Sequence, residues 1–188
     1  ESKLKSISFD GIDHIILVGM GGSGAICEVI SAILSKTKIH TTVVKGYHLP
    51  NTADENTLVL SISVSGDTVE TISVLESALA KSCHTVSFSS GGRLQQICEN
   101  KEISHFLIPH VHSPRASFSV FLYSILNVLS DILPISDSDV IESLNSLESL
   151  QKQICSDNLS STNTALSIAK WISGIPILYY PWGLEPAA

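Results

Sequence analysis

Hydroxyl side chains are concentrated in the segment Ser-Ile-Ser-Val-Ser-Gly-Asp-Thr, residues 61–68, where an apolar run gives way to a helical pattern. Ser63, Ser65 and Thr68 can converge on one anion that also accepts hydrogen bonds from the first N–H groups of the following helix. Helix capping by Asp67 or Thr68 explains one or two of these polar residues, but it leaves the two serines unexplained. The segment therefore favours an anion site over capping alone.

A glycine-rich segment, Gly19-Met-Gly-Gly-Ser-Gly24, has the GxGxxG pattern between a strand-like run and a helical pattern. Glycines there permit a tight turn and let backbone N–H groups approach a phosphate at the helix N-terminus. A dinucleotide site also needs an acidic residue about 20 positions later, at the end of the second strand. That region reads Val43-Val-Lys-Gly46, so NAD(P) binding, as in an oxidoreductase, is a less favoured interpretation, as is a purely structural glycine turn.

Two further segments place small or charged residues after strand-like runs. The first is Ser89-Ser-Gly-Gly92, and the second is His112-Ser-Pro-Arg-Ala116, which brings Arg115 to the start of a helical pattern. A cation at that end of a helix opposes the helix dipole, so Arg115 should face either a bound anion or a nearby carboxylate. The seven histidines and four cysteines show no spacing typical of a metal site.

Short apolar runs alternate with amphipathic segments along most of the chain, and this pattern predicts an α/β fold. The fold class is a doubly wound five-stranded parallel sheet with helices on both faces, a flavodoxin-like sandwich. Ligands of such sheets bind beyond the carboxyl ends of the strands, which places the site after strands one, three, four and five. The predicted strands are His14–Val18, His40–Val44, Thr57–Ile62, His84–Phe88 and His105–Ile108, and the predicted helices are 25–35, 68–81, 93–99 and 117–133.

Composition excludes several classes of protein. Hydrophobic residues make up 44% of the 188 residues and charged residues only 15%, which excludes a disordered chain. The net charge of −7 and the scattered basic residues make a nucleic-acid-binding surface an unfavourable interpretation. No apolar run is long enough for a membrane span, and the absence of a signal-like start predicts a cytoplasmic protein with reduced, mostly buried cysteines.

The four segments, in this order and spacing, resemble the sugar isomerase (SIS) domain family, and more narrowly the bifunctional phosphoglucose/phosphomannose isomerases. The resemblance runs from about residue 12 to residue 135. The residues that carry it are Gly19-Met-Gly-Gly-Ser-Gly24, Ser63-Val-Ser-Gly-Asp-Thr68, Thr85–Gly92 with the following Arg-Leu, and Ser113-Pro-Arg-Ala116.

The resemblance implies a substrate site and a reaction. The reaction is aldose–ketose isomerisation of glucose or mannose 6-phosphate to fructose 6-phosphate through an enediolate, with no metal or redox cofactor. Arg115 is the implied catalytic residue, which stabilises the negative charge of the enediolate. A homodimer is expected because SIS domains usually pair. The residues implied to bind the phosphate are Gly22, Ser23, Ser63, Ser65 and Thr68.

The resemblance also implies how the chain is divided. Residues 1–135 form the SIS domain, 136–174 a helical connection, and 175–188 the first strand and turn of a truncated second SIS domain. Because the second domain of the family supplies the catalytic base, this chain is predicted to bind substrate without a complete catalytic apparatus. A non-catalytic sugar-phosphate-binding or regulatory module is the alternative. Asp67 stands so near the predicted phosphate that its carboxylate should weaken binding unless it points away to cap the helix that follows it.

Overall fold

The computed structural model describes residues 9–180, which divide into two compact units, 9–134 and Ile135–Tyr180. The elements of the first unit alternate between strands and helices, as the hydrophobic pattern predicts. They are β1 (His14–Val18), α1 (Gly22–Leu34), β2 (His40–Val44), β3 (Thr57–Ser63), α2 (Val69–Ala80), β4 (His84–Ser89), α3 (Gly92–Asn100), β5 (Ser104–Leu107) and α4 (Phe118–Val128).

All five strands form one parallel sheet in the order β2-β1-β3-β4-β5. The chain runs outward to β2 and then returns past β1 to β3, so the direction of winding reverses between β1 and β3. In doubly wound sheets this reversal opens a crevice at the carboxyl ends of the two strands. The predicted doubly wound five-stranded parallel sheet is confirmed, and the reversal places the crevice between the segments that follow β1 and β3.

The central strands are buried on both faces because their sequences are almost continuously apolar. Every residue of β1 and β3 is buried, whereas the edge strands β2 and β5 are partly exposed. On one face, Val59 of β3 lies in a core cluster with Val74 and Ala78 of α2. Each of the two valine side chains contributes about 1.5–3 kcal/mol when fully buried. This packing fixes the start of α2 at the carboxyl edge of the sheet.

The last helix of the first unit is shorter than its apolar pattern predicts. The pattern indicates a helix over 117–133, but α4 ends at Val128 and continues as hydrogen-bonded turns. Leu129 and Leu133 remain buried within these turns. Burial therefore continues beyond the helix, which is why hydrophobicity alone places its end too late.

The second unit contains α5 (Asp137–Ile154) and α6 (Thr164–Trp171). Ser136 caps α5 in a capping box with Asp139, and Asn163 caps α6. The strand predicted from Ile175 to Tyr180 has no regular secondary structure here, and its side chains are exposed. The remainder of the segment predicted to open a second domain, 181–188, lies outside the described residues. Within 9–180, no helix is long and apolar enough to cross a lipid bilayer.

A buried histidine lies at the edge of the sheet opposite the predicted site. His14 of β1 stands beside His40 of β2 with ring centroids 4.6 Å apart, and its Nε2 lies 2.9 Å from Thr42 Oγ1. Burial, followed by the charge of His40, lowers the pKa of His14, against smaller opposing effects of Asp13 and Asp54. The folded protein therefore favours neutral His14.

We expect His14 to make the free energy of unfolding depend on pH below about 6.5. Because the pKa of His14 is lower in the folded state, the unfolded chain binds a proton that the folded chain does not, so stability falls as pH falls through this interval. The slope from one group is at most about 1.4 kcal/mol per pH unit. Urea unfolding between about pH 7.5 and about pH 5.5 should show a shallower loss of stability in His14→Gln than in the wild type.

His84 of β4, which is exposed, provides the control for the loss of a histidine, and His14→Gln should flatten the slope more than His84→Gln does. Burial also lowers the pKa of His105, so part of the slope remains in His14→Gln. Identical slopes in the wild type and His14→Gln would contradict the expectation.

Candidate functional site

A cavity of about 510 Å³ opens at the carboxyl edge of the sheet. Its volume lies within the range of small-molecule sites in proteins. Three chain segments line it, those that follow β1, β3 and β5. The lining residues are Met20, Gly22, Ser23, Val64, Ser65, Thr68, Ser113, Pro114 and Arg115.

The segment after β1 turns sharply into α1 because glycine is required at two positions. A Cβ on Gly19 would lie 2.8 Å from the carbonyl carbon of Ser23, and Gly21 has a φ of 54°. Gly22 has open space around its Cα, and Ser23 is 7% exposed and lines the cavity. The glycines therefore bring the first turn of α1 and the Ser23 hydroxyl to the cavity wall.

The segment after β3 contributes two hydroxyl groups. The Ser65 hydroxyl accepts a hydrogen bond from the Asp67 N–H at 3.2 Å, and Thr68 is the N-cap of α2. The Thr68 hydroxyl makes no capping bond to α2; its Oγ1 lies 2.9 Å from Ser63 Oγ. Ser63, which is 2% exposed, also accepts a hydrogen bond from the Gly66 N–H at 3.0 Å. Ser63 thus lies behind Thr68 and is absent from the cavity wall.

Two helices begin at the cavity without a side-chain acceptor for their first N–H groups. Neither Gly21 at the start of α1 nor Thr68 at the start of α2 provides a capping hydrogen bond, whereas Ser136 and Asn163 cap the helices of the second unit. In α1 the Ser23 N–H donates to the Met20 carbonyl oxygen at 3.1 Å, so only some of the first N–H groups remain free. Free N–H groups at a helix start carry a partial positive charge. The cavity is therefore favourable for an anion, although the chain as a whole is acidic.

Arg115 lies in the cavity wall and is exposed. Within the described residues, no carboxylate lies within ion-pair distance of its guanidinium group, and the two ion pairs found there are Lys45 with Glu28 and Lys152 with Glu148. The sequence leaves open whether Arg115 faces an anion or a neighbouring carboxylate. The structure favours the first, because Arg115 lines the cavity and has no carboxylate partner among the described residues.

The structure brings together most of the residues predicted to form the site. Gly22, Ser23, Ser65, Thr68 and Arg115 all line the cavity, and Ser63 supports the wall from inside. Sequence reasoning missed four lining residues, each of which lies inside a motif that the sequence does identify. They are Met20, Val64, Ser113 and Pro114.

The segment after β4 is predicted to join the site, but it does not line the cavity. It lies against the segment after β3 instead. The backbone N–H of Arg93 donates a hydrogen bond to Asp67 Oδ1 at 3.0 Å. Asp67 therefore does not cap its own helix, α2, as the sequence suggests, but contacts the start of α3 and is absent from the cavity wall.

Other ligand chemistries find little support in the described residues. At the end of β2, where a dinucleotide site needs a carboxylate, Lys45 pairs with Glu28 at 2.6 Å. Between residues 9 and 180, no group of three or more His, Cys, Asp and Glu side chains is arranged to hold a metal ion. Cys27, Cys83 and Cys98 are buried thiols whose pKa values burial raises, in agreement with the expectation that the cysteines are mostly buried, while Cys155 is partly exposed.

A family model described as the SIS domain matches residues 9–126. This range is more than half of the chain and contains every segment that lines the cavity. The chain belongs to the SIS domain family. The resemblance found in the four sequence motifs is thereby confirmed at the level of the family.

This SIS domain chain is also similar to curated enzymes. It is 29% identical over 181 residues to a bifunctional phosphoglucose/phosphomannose isomerase of Caldicellulosiruptor bescii, and the match covers 93% of this chain and 52% of the relative. It is 34% identical over 145 residues to a protein of the same name from Aquifex aeolicus, covering 74% of this chain and 45% of the relative. The chain thus spans about half the length of the curated relatives it matches.

A solved structure shares the fold. A hypothetical protein from Thermus thermophilus superimposes with a TM-score of 0.61 at 18% identity, covering 86% of this chain and 41% of the other. The likeness supports the doubly wound architecture of the first unit.

We expect Gly66→Ala to lower the free energy of unfolding by at least about 2 kcal/mol. Gly66 has a φ of +76°, and a Cβ there would overlap the carbonyl oxygen of Gly91. Urea unfolding measures the loss. Gly46→Ala is the matched control, because Gly46 has no atom within 4 Å of its added Cβ, and its change should stay within about 1 kcal/mol. Equal effects of the two substitutions would show that the close approach is not required.

Proposed function

We propose that the cavity binds a sugar 6-phosphate and that the chain is the substrate-binding SIS domain of an aldose–ketose isomerase. The phosphate is held by the hydroxyl groups of Ser23, Ser65 and Thr68 and by the first N–H groups of α1 and α2, with Gly22 allowing close backbone approach. Ser63 orients Thr68 through their hydrogen bond. The substrates are glucose or mannose 6-phosphate, and the product is fructose 6-phosphate.

One observation carries this proposal: two helix N-termini without side-chain caps, three hydroxyl groups and an unpaired arginine converge on a single cavity. A phosphate needs several hydrogen-bond donors and a positive field, and this arrangement supplies both. Two curated relatives named phosphoglucose/phosphomannose isomerase support the choice of a sugar phosphate.

Arg115 acts on the reacting end of the sugar. Isomerisation moves a proton between C1 and C2 and places negative charge on the oxygens of an enediolate, which a fixed cation stabilises. Among the described residues no carboxylate or histidine lines the cavity, so we propose that the base that moves the proton is supplied by a second domain. If no such domain is joined to the chain, the chain is a module that binds a sugar phosphate without converting it.

We further propose that the protein is a cytoplasmic homodimer. The α5 helix supports the pairing, because Ile141, Leu144, Leu147 and Leu150 are 44–59% exposed along it and a second copy would cover them. Sedimentation velocity at micromolar concentration should give twice the mass of the chain. A single species with the mass of one chain would contradict the dimer.

We expect Arg115→Gln to weaken the binding of an enediolate-like ligand far more than that of a sugar phosphate whose C1–C2 end is uncharged. Isothermal titration calorimetry with a phosphorylated aldonate, whose carboxylate mimics the enediolate charge, is compared with sorbitol 6-phosphate. The variant should lose roughly tenfold more affinity for the aldonate, because a charge-assisted hydrogen bond is lost.

Lys101→Gln is the control, since Lys101 also carries a positive charge, is exposed and does not line the cavity. It should bind both ligands as the wild type does. Equal losses for the two ligands in Arg115→Gln would assign Arg115 to the phosphate and contradict its catalytic role. A wild-type chain that binds neither ligand would refute the proposed function.

A further inference from the structure

We propose that Asp67 and Ser90 are positioning residues that lock the phosphate-binding segment, residues 64–68, in its binding conformation. Neither residue lines the cavity, and both act through the segment Ser90–Leu94 that follows β4, here called the brace. The inference rests on the proposed function, because the segment it positions is the one proposed to hold the phosphate.

Ser90 binds the start of the phosphate-binding segment twice. Its backbone N–H donates to the Val64 carbonyl oxygen at 3.1 Å, and its hydroxyl group donates to the same oxygen at 2.7 Å. Val64 is 6% exposed, so this carbonyl oxygen depends on protein donors for its hydrogen bonds. Ser90 thereby fixes the peptide that precedes Ser65, whose hydroxyl faces the cavity.

The start of α3 binds the middle of the same segment. The Leu94 N–H donates to the Gly66 carbonyl oxygen at 2.8 Å, and the Arg93 N–H donates to Asp67 Oδ1 at 3.0 Å. Both are backbone N–H groups of the first turn of α3, and such groups have no acceptor within their own helix. The N-cap of α3 is Gly91, which has no side chain, so the phosphate-binding segment itself caps α3.

The contact also places the Asp67 carboxylate at the N-terminus of α3. A carboxylate at a helix N-terminus is stabilised by the helix dipole. The Asp67 carboxylate therefore contacts the start of α3 and does not line the cavity. This contact explains how an acidic residue stands one position before Thr68 without occupying the anion site. The carboxylate serves as the acceptor that ties the two segments together.

The brace is anchored on the strands behind it. The Ser89 hydroxyl donates to the Gly91 carbonyl oxygen at 2.7 Å and accepts from the Gly91 N–H at 3.1 Å. His105 Nε2 of β5 lies 2.8 Å from the Ser89 hydroxyl oxygen. Ser89 is fully buried in β4, so the turn that carries Ser90 is tied to the sheet. A brace anchored in this way can hold the phosphate-binding segment against a rigid support.

The test compares variants of the full chain in binding of fructose 6-phosphate and in amide hydrogen exchange over residues 64–69 without ligand. The decisive comparison is Asp67→Ala against Asp67→Asn, because both remove the charge and only Asn keeps an acceptor for the Arg93 N–H. Asp67→Ala should bind roughly three- to tenfold more weakly than Asp67→Asn and exchange faster. Asp67→Asn should keep wild-type exchange and bind at least as tightly as the wild type, since a negative charge near the phosphate is gone.

Ser90→Ala has a matched control in Ser77→Ala. Ser77 is also partly buried, and its hydroxyl donates to a backbone carbonyl, that of Ser73, at 2.9 Å, away from the cavity. Ser90→Ala should weaken binding roughly threefold or more and speed exchange over residues 64–69, whereas Ser77→Ala should change neither.

The proposal is overturned if Asp67→Ala and Asp67→Asn bind equally, since Asp67 would then act through its charge alone. It is also overturned if Ser77→Ala matches Ser90→Ala, since general destabilisation would explain both. If the wild type binds no fructose 6-phosphate, the proposed function fails, and unchanged exchange in Asp67→Ala and Ser90→Ala would then separately overturn the brace.

Discussion

The segments after β3 and β4 meet backbone against backbone, and the arrangement of the cavity depends on how closely they approach. A side chain on Gly66 would overlap the Gly91 carbonyl oxygen, and a Cβ on Gly92 would lie 2.5 Å from the Ser65 carbonyl oxygen. Glycine at both positions allows the peptide groups of the two segments to bond directly. Because β3 and β4 are parallel neighbours, the sheet delivers both segments to the same edge. The cavity hydroxyls are therefore placed by main chain, which has few ways to adjust.

An acidic chain can hold an anion when the positive field is local. The net charge of −7 is spread over the chain, while the cavity is faced by the starts of α1 and α2 and by Arg115. Fixed dipoles and one unpaired cation act at short range, where solvent and salt screen them least. The carboxylate of Asp67, one residue before Thr68, is engaged by the start of α3. The local field and the overall charge thus have opposite signs.

Hydrophobic pattern predicts the order and type of every element from β1 to α4, because two-sided burial makes the central strands continuously apolar. The motifs after β1, β3 and β5 contain all the described residues that line the cavity, because parallel strands bring their carboxyl ends together, but sequence alone singles out only five of the nine. The sequence does not separate residues that line a site from residues that hold it. Ser63, Asp67 and the segment after β4 are polar or small for the second reason, and only the three-dimensional contacts distinguish the two roles.

The uncapped starts of α1 and α2 set a conflict between heat resistance and ligand affinity. A side-chain cap stabilises a helix by about 1 kcal/mol, and an acidic side chain at Thr68 would satisfy the first N–H groups of α2 in the empty protein. The same side chain would compete with an anion for those groups. Selection for heat resistance without ligand therefore favours an acidic residue at position 68, whereas selection for binding disfavours it. Variants chosen by melting temperature alone would lose ligand affinity.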